Sequence, residues 1–136
     1  MKISFRGQKI GLFYIFYLNK YNQNEFNHQL LNQKIYNFSI SDIEKIEDIF
    51  KNLSFLEKEI TNSLSILKWK ELKPIEKSLL INGLYEIEFL KIGKKIVINE
   101  YVNLAKSFGT TDQSYKLINA VLDNSKIETT LEMENL

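Results

Sequence analysis

The stretch PIEKSLLINGLYEIEFLKIGKKIVINEYVNLAKSFG, Pro74 to Gly109, decides the fold class. It begins with a proline, which is favoured at the first position of a helix because that position needs no backbone N–H. Apolar residues then recur at helical spacing as far as the loop of residues 91–95, and a second series runs from Val97 to Phe108. Gly109 follows as a helix stop. The stretch therefore predicts two consecutive helices.

The same periodicity predicts helices on both sides of this stretch. Upstream, Ser41 and Glu44 fit a capping box for a helix whose apolar residues run to residue 69, with a break expected near residues 52–54. Downstream, a threonine at position 110 or 111 is expected to cap a last helix. Every element in this part of the chain is therefore predicted to be helical.

The N-terminal segment has a less regular pattern. GLFYIFYL has the aromatic and β-branched content of a strand, but no hairpin partner with turn chemistry lies nearby. We therefore expect Phe5 to Tyr21 to form a helix that is apolar nearly all round, as a central bundle helix is. Residues 25–35 are expected to form a short second helix. Residues 1–125 would then be one all-α domain, and residues 126–136 an acidic, flexible tail.

The composition limits the possible functions. The chain has 136 residues, 44% hydrophobic and 26% charged, which fits one folded domain. It has no cysteine and one histidine, so no thiolate zinc site and no histidine pair for a metal or a catalytic dyad can form. No apolar run approaches the ~20 residues that span a bilayer. The sequence therefore predicts a cytoplasmic protein without catalytic residues, cofactor or metal.

Basic and aromatic residues share one face of the first predicted helix. The net charge is only +1, but residues 1–20 carry basic side chains and no acid. Arg6, Lys9, Phe13 and Tyr17 fall within a narrow arc on a helix. Cations beside rings suit single-stranded RNA, because the charges meet phosphates and the rings stack on unpaired bases. The alternative is that Phe13 and Tyr17 belong to the core while the basic residues only solvate the helix.

Two further groups of polar residues admit a functional and a structural interpretation. Lys116, Asn119 and Asp123 share the polar face of the last helix, where they could contact RNA, although a solvated face is the commoner explanation. Glu76 lies near the start of its helix, where the helix dipole alone favours a carboxylate. The alternative role of Glu76 is a salt bridge to a basic protein.

Three sequence blocks and a tryptophan carry a family resemblance. The blocks are PIEKSLLINGLYEI at Pro74 to Ile87, KKIVINEYVNLAKSFG at Lys94 to Gly109 and YKLINAVLD at Tyr115 to Asp123, and Trp69 precedes them. In order and in spacing they are similar to V-E-R-A-I-L-R-L-A-x-Y-E-L, V-A-I-N-E-A-V-E-L-A-K-x-F-G and K-F-V-N-G-V-L-D of the NusB family of bacterial transcription antitermination factors. The N-terminal half is similar only through R-x-x-K at Arg6 to Lys9 and through Tyr17. These residues resemble the basic first helix of the family, which ends in Leu-Tyr.

The resemblance implies a fold and a role. The fold is a NusB-like compact helical bundle of two three-helix subdomains packed roughly crosswise. NusB-like proteins pair with the small-subunit ribosomal protein called NusE in this context. The pair binds the boxA element of nascent ribosomal RNA and helps the RNA polymerase antitermination complex pass terminators. No chemistry is catalysed in this role.

The resemblance also implies site residues, which are carried over position by position. The RNA face would comprise Lys2, Arg6, Lys9, Tyr17, Phe108, Asp112, Lys116 and Asn119. The contacts to the ribosomal protein would comprise Glu76, Tyr85 and Glu86. This assignment requires Arg6, Lys9 and Tyr17 to lie next to Lys116 and Asn119 on a surface open to solvent.

The chain departs from the family pattern at several positions. They are Ile81 in place of Arg, Leu117 in place of Phe, Ala120 in place of Gly, Gly93 near the usual Pro, and one extra residue between Gly109 and Lys116. The missing Phe removes a stacking surface, so we expect RNA affinity to be reduced or to depend on the protein partner. For the I-N-E segment, we expect Asn99 to bond the backbone of a neighbouring segment and Glu100 to benefit from the helix dipole.

Two alternatives to the antitermination role stay open at this stage. One is a catalytically inactive NusB-like domain related to the N-terminal domain of ribosomal RNA cytosine methyltransferases. The other is a helical scaffold that kept the fold and lost the RNA face. A homodimer formed through the N-terminal helices would occlude RNA in that case.

Overall fold

The computed structural model describes residues 5–19, 40–108 and 110–124, and within these ranges the chain is all α-helical. The helices are α1 Phe5–Asn19, α2 Ile40–Lys51, α3 Leu53–Ser63, α4 Ile66–Glu71, α5 Pro74–Glu88, α6 Lys94–Ser107 and α7 Asp112–Asp123. The predicted all-α class is confirmed. Lys2, the predicted helix at residues 25–35 and the predicted tail at 126–136 lie outside the described residues.

Local capping interactions set several of these boundaries. Ser65 begins α4, where its side chain accepts a hydrogen bond from the Lys68 N–H at 3.0 Å. Thr111, not Thr110, caps α7 by accepting from the Ser114 N–H at 3.3 Å. Ser41 does not cap a helix, because α2 already includes Ile40.

The break that the sequence predicts near residues 52–54 occurs at Asn52, between α2 and α3. The Asn52 side-chain amide donates to the Asp48 carbonyl oxygen at 2.8 Å, which satisfies a carbonyl at the end of α2. The helical run from Ile40 to Ser63 is therefore divided into two helices at this residue. Their combined length would exceed the width of such a small domain.

Helix α5 is the centre of the molecule. Twelve of its fifteen residues are buried, and it packs against α1, α2, α3, α6 and α7. The sequence assigned this central place to α1, whereas within the described residues α5 packs against more helices than α1 does. Two of the buried polar residues of α5 bond within the helix, although the Asn82 Oδ1 atom accepts no hydrogen bond. The Ser78 hydroxyl donates to the Pro74 carbonyl at 2.9 Å, and the Asn82 amide donates to the Ser78 carbonyl at 2.8 Å.

The other helices form two groups around α5. In the first group, α1 contacts α2, and α2 contacts α3. In the second group, α6 and α7 pack closely against each other and against α5. The Lys94 ammonium donates to the Asp123 carbonyl at 2.7 Å, so the start of α6 meets the end of α7. This grouping fits the predicted arrangement of two three-helix subdomains, with α5 touching both.

Gly83 allows the close approach of α5 and α7. A Cβ atom at this position would lie 2.9 Å from the Leu122 Cδ1 atom and 3.5 Å from the ring of Tyr101. Gly11 in α1 differs, because nothing lies within 4 Å of a Cβ built there. No described helix is long and apolar enough to cross a membrane.

These two glycines make a matched pair of substitutions. Gly83→Val should lower the free energy of unfolding by about 1 to 3 kcal/mol, because its methyl groups overpack the α5–α7 contact. Gly11→Ala should raise it by about 0.5 to 1 kcal/mol, because the added methyl meets no neighbour and stiffens the helix. Urea denaturation followed by circular dichroism measures both. Unfolding of the valine variant at the wild-type urea midpoint would contradict the close approach.

Candidate functional site

The buried carboxylate of Glu86 joins the three helices α1, α5 and α6. Glu86 of α5 is 2% exposed and accepts hydrogen bonds from the Arg6 guanidinium of α1 at 2.7 and 3.0 Å. The Tyr101 hydroxyl of α6 donates to the same carboxylate. The bond to Glu86 raises the pKa of Arg6, while burial and then the charge of Glu86 raise the pKa of Tyr101. The buried carboxylate of Glu86 therefore fixes the position of the Arg6 guanidinium.

The Asn99–Glu100 pair differs from its sequence-based interpretation. Asn99 is exposed and makes no hydrogen bond within the described residues, so the expected backbone bond is wrong. Glu100 lies in the second turn of α6, beyond the reach of the helix N-terminus. Its carboxylate lies 3.6 Å from the Arg6 guanidinium and is 45% exposed. Glu100 therefore forms an ion pair with Arg6, as Glu86 does, and does not interact with the positive end of the helix dipole.

Lys9 is buried, contrary to the expectation that it lies on an open surface. It is 5% exposed and borders a cleft of about 170 Å³, which we call the Lys9 cleft. The cleft is lined by Arg6, Lys9, Asp42, Lys45, Glu86, Leu90 and Ile92. The ammonium of Lys9 makes no hydrogen bond or ion pair within the described residues. Burial lowers the pKa of Lys9, and the charge of Glu86 only partly opposes this.

The aromatic residues of α1 belong largely to the core. Phe13 is 0% exposed and stacks on Phe50 and Tyr17, with ring centroids 4.7 and 5.5 Å apart. Tyr17 is half-buried, and its hydroxyl donates to the Glu57 carboxylate at 3.2 Å. Burial, followed by the charge of Glu57, raises the Tyr17 pKa. The structural alternative is confirmed for Phe13, and the predicted open face shared by Arg6, Lys9 and Tyr17 is wrong.

The site residues predicted on α7 are the accessible ones. Asp112, Lys116 and Asn119 are exposed, while Phe108 is half-buried and packs against the core. Lys116 borders a larger cavity of about 710 Å³, which we call the Lys116 cavity. It is lined by Lys68, Glu71, Leu72, Lys73, Glu76, Thr111, Gln113, Ser114, Lys116 and Leu117.

The Lys9 cleft and the Lys116 cavity lie toward opposite ends of α5. Glu86 lines the cleft and Glu76 lines the cavity. A helix rises about 1.5 Å per residue, so these two levels are roughly 15 Å apart along the axis. The structure therefore separates basic groups that the sequence interpretation placed side by side.

The three predicted protein-contact residues bond within the chain. Glu76 is 9% exposed and accepts from the Lys73 N–H at 2.9 Å and from the Ser114 hydroxyl at 2.6 Å. Tyr85 is 3% exposed, and its hydroxyl donates to Asp48 at 2.8 Å. Tyr85 and Glu86 are thus buried beneath the surface, which corrects the expectation that their side chains face a partner. Each still borders a cavity: Glu76 the Lys116 cavity, Glu86 the Lys9 cleft, and Tyr85 an open cavity of about 400 Å³ beside α2.

The sequence interpretation did not identify three of the lysines that line the Lys9 cleft and the Lys116 cavity. Lys45 faces the Lys9 cleft from α2, and Lys68 and Lys73 border the Lys116 cavity. No spacing in the sequence indicates these neighbours, because each depends on how separate helices pack. Tyr101 was assigned only to an apolar face, although a tyrosine on such a face needs a partner for its hydroxyl.

Comparison with known proteins shows similarity over nearly the whole chain. The model of the NusB family matches residues 4–126. The transcription antitermination protein NusB of Campylobacter lari is 35% identical over 115 residues, which cover 84% of this chain and 86% of that protein. That of Sulfurimonas denitrificans is 33% identical, over 84% of this chain and 87% of the other. The Pasteurella multocida NusB is 33% identical over a shorter segment, 67% of this chain and 56% of that protein.

Removing the charge of Glu86 tests the role of the buried network. Glu86→Gln should lower the free energy of unfolding by about 2 to 4 kcal/mol, because it leaves Arg6 without its main acceptor. Glu100→Gln is the matched control on the same guanidinium and should cost less than about 1 kcal/mol, because Glu100 is exposed. Urea denaturation of both variants measures the difference. Equal losses would contradict the central role of Glu86.

Proposed function

The chain belongs to the NusB family, and from this membership we propose that it is a transcription antitermination factor and not an enzyme. In this proposal it acts in the cytoplasm and binds boxA-type single-stranded ribosomal RNA. It does so together with the small-subunit ribosomal protein that serves as NusE, as part of an RNA polymerase antitermination complex. The family match over residues 4–126 supports the coarse role. The finer assignments rest on the charges described above.

The unpaired ammonium of Lys9 is the single observation that best supports RNA binding. The side chain of Lys9 lies largely within the fold, but its ammonium bonds to no described protein atom and faces a cleft, so it can pair with an anion that enters from outside. The Lys9 cleft also contains Lys45 and the Arg6 guanidinium. A phosphate oxygen that enters the cleft would accept a hydrogen bond from Lys9 and balance its charge. Glu86 supports this arrangement by holding Arg6 at the rim.

The Lys116 cavity supplies a second group of contacts in the proposal. Lys68, Lys73 and Lys116 offer ammonium groups for phosphates, and the exposed Asn119 offers an amide for a base edge. The exposed Asp112 lies at the start of the same helix. In the proposal the cleft and the cavity act as two separate groups of contacts, at levels roughly 15 Å apart along α5. Phe108 and Tyr17, being half-buried, would contact the RNA only with their exposed edges.

We expect phosphate contacts to dominate RNA affinity in this chain. Base stacking contributes about 1 to 3 kcal/mol per base where an aromatic platform is available. Leu117, which stands where the family has Phe, is half-buried and packs against the core. Affinity should therefore fall steeply with added salt, because each neutralised phosphate releases counterions. The protein partner, with Glu76 beside the Lys116 cavity as a predicted contact, would supply the remaining affinity.

Lys9→Met separates the proposed function from folding. It should stabilise the fold by about 1 to 3 kcal/mol, because an apolar chain of similar length replaces an unpaired buried charge. It should also weaken binding to boxA-type RNA and reduce the slope of log affinity against log salt by about 1. Fluorescence anisotropy with labelled RNA, with and without the NusE-type protein, measures the affinity. Urea denaturation measures the stability.

Lys58→Met is the control, because Lys58 is exposed on α3 and lines neither the Lys9 cleft nor the Lys116 cavity. This variant should keep the wild-type affinity and salt slope. If Lys9→Met binds RNA as tightly as the wild type with the same salt slope, the cleft has no part in recognition. If the unaltered chain binds neither the RNA nor the ribosomal protein in a pull-down with both, the antitermination role is excluded for it. Light scattering in the same samples detects a homodimer that occludes RNA.

A further inference from the structure

Two phenylalanine rings that touch each other are exposed on the side of α3 and α5. Phe55 of α3 is 46% exposed, and Phe89, the residue that follows α5, is 37% exposed. Their ring centroids lie 6.0 Å apart in an edge-to-face arrangement. Contiguous apolar groups rimmed by polar residues are typical of interaction sites, whereas single exposed apolar side chains are normal. We call these two rings the Phe55–Phe89 patch.

Tyr85 joins this patch to the open cavity beside α2. Its ring stacks on the Phe89 ring, with centroids 5.2 Å apart, and its hydroxyl donates to the Asp48 carboxylate at 2.8 Å. Tyr85 also lines the cavity, together with residues of α2. The exposed rings and the carboxylates of α2 therefore form one continuous surface, in which Tyr85 supports Phe89.

The cavity part of this surface is acidic. Its lining consists of Ser41, Glu44, Lys45, Glu47, Asp48, Lys51 and Tyr85. Lys45 and Lys51 offset part of the negative charge, but residues 42–59 carry six carboxylates and only three ammonium groups. This excess repels the phosphates of RNA, although a base could stack on the rings. It attracts a positively charged partner instead.

We propose that the Phe55–Phe89 patch and the open cavity beside α2 together dock an arginine-bearing, basic segment of another protein. Arginine fits both parts of the surface, because its planar guanidinium stacks on aromatic rings and pairs with a carboxylate through two parallel hydrogen bonds. Lysine offers only a compact and strongly hydrated charge. Arginine and aromatic side chains are also enriched at the centres of protein interfaces.

The arginine cannot come from a second copy of this chain. The sequence contains one arginine, Arg6, and its guanidinium is bonded to the buried carboxylate of Glu86. The predicted ribosomal partner is assigned to the other end of α5, because Glu76 precedes Phe89 by thirteen residues, roughly 20 Å of helix. The occupant is therefore a third protein. This inference does not depend on RNA binding.

A labelled peptide of alternating arginine and leucine is the probe that tests the surface, with fluorescence anisotropy as the measurement. The full chain should bind this peptide saturably and with one site per chain. A peptide with lysine in place of arginine should bind at least about threefold more weakly, because it cannot stack and pair at once. A peptide with glutamate in place of arginine should not bind.

Point variants locate the peptide on the surface. Phe89→Ser should weaken binding of the arginine peptide about tenfold, as expected for an aromatic anchor, whereas Leu67→Ser, at an exposed leucine of α4, should not. Glu44→Lys should also weaken it, because the exposed Glu44 lines the cavity, whereas Asp123→Lys on α7 should not. Urea denaturation shows whether each variant is folded. If Phe89→Ser is not, Phe55→Ser, at the more exposed ring, replaces it.

Three outcomes would overturn the proposal. Equal affinity for the arginine and lysine peptides would show that charge alone acts. Wild-type affinity in folded Phe89→Ser and Phe55→Ser would place the peptide elsewhere. Displacement of the peptide by the NusE-type ribosomal protein would assign the surface to that protein, whereas simultaneous binding supports a third partner. Because the peptide assay contains no RNA, failure of RNA binding would refute the proposed function and leave this result unchanged.

Discussion

The carboxylate of Glu86, near the C-terminal end of α5, is the interaction on which the packing of α1 and α6 against α5 depends. A buried carboxylate must be paired, and here the Arg6 guanidinium and the Tyr101 hydroxyl supply the donors. This fixes α1 and α6 on either side of α5. Lys9 lies three residues after Arg6 and therefore on the same side of α1. The pairing that anchors Arg6 thus also turns Lys9 inward, toward α2 and the end of α5.

The three residues predicted to contact a protein partner each hold helices of this chain together. Glu76 joins the starts of α5 and α7, Tyr85 joins α5 to α2, and Glu86 joins α5 to α1 and α6. Each is a polar side chain on a helix that is otherwise buried. Their effect on any partner is therefore indirect, since they set the positions of the groups that reach the surface. The exposed charges beside the Lys116 cavity belong instead to α4, to the residue before α5 and to α7.

The parts of the fold that follow from local chemistry could be predicted from the sequence. Pro74, Thr111 and the break at Asn52 act through their own neighbours in the chain, and the helices they bound were predicted correctly. The burial of Lys9 could not be predicted, because helical spacing gives a face without saying what covers it. The central place of α5 was missed for the same reason. Its Glu, Asn and Tyr residues resemble a half-exposed helix until their partners on α1, α2 and α7 are known.

The Arg6–Glu86 pair also has a consequence for biosynthesis, since 80 positions of sequence separate its two members. Translation proceeds at about 5 to 20 residues per second, so α1 waits roughly 4 to 16 s before its acceptor is made. During this interval the ring of Phe13 can stack on Phe50 once α2 is made, but its native site is incomplete because α5, against which α1 packs, does not yet exist. The nascent N-terminus is thus a natural substrate for chaperones that recognise exposed aromatic segments, whereas α5, α6 and α7 can associate as soon as they are made.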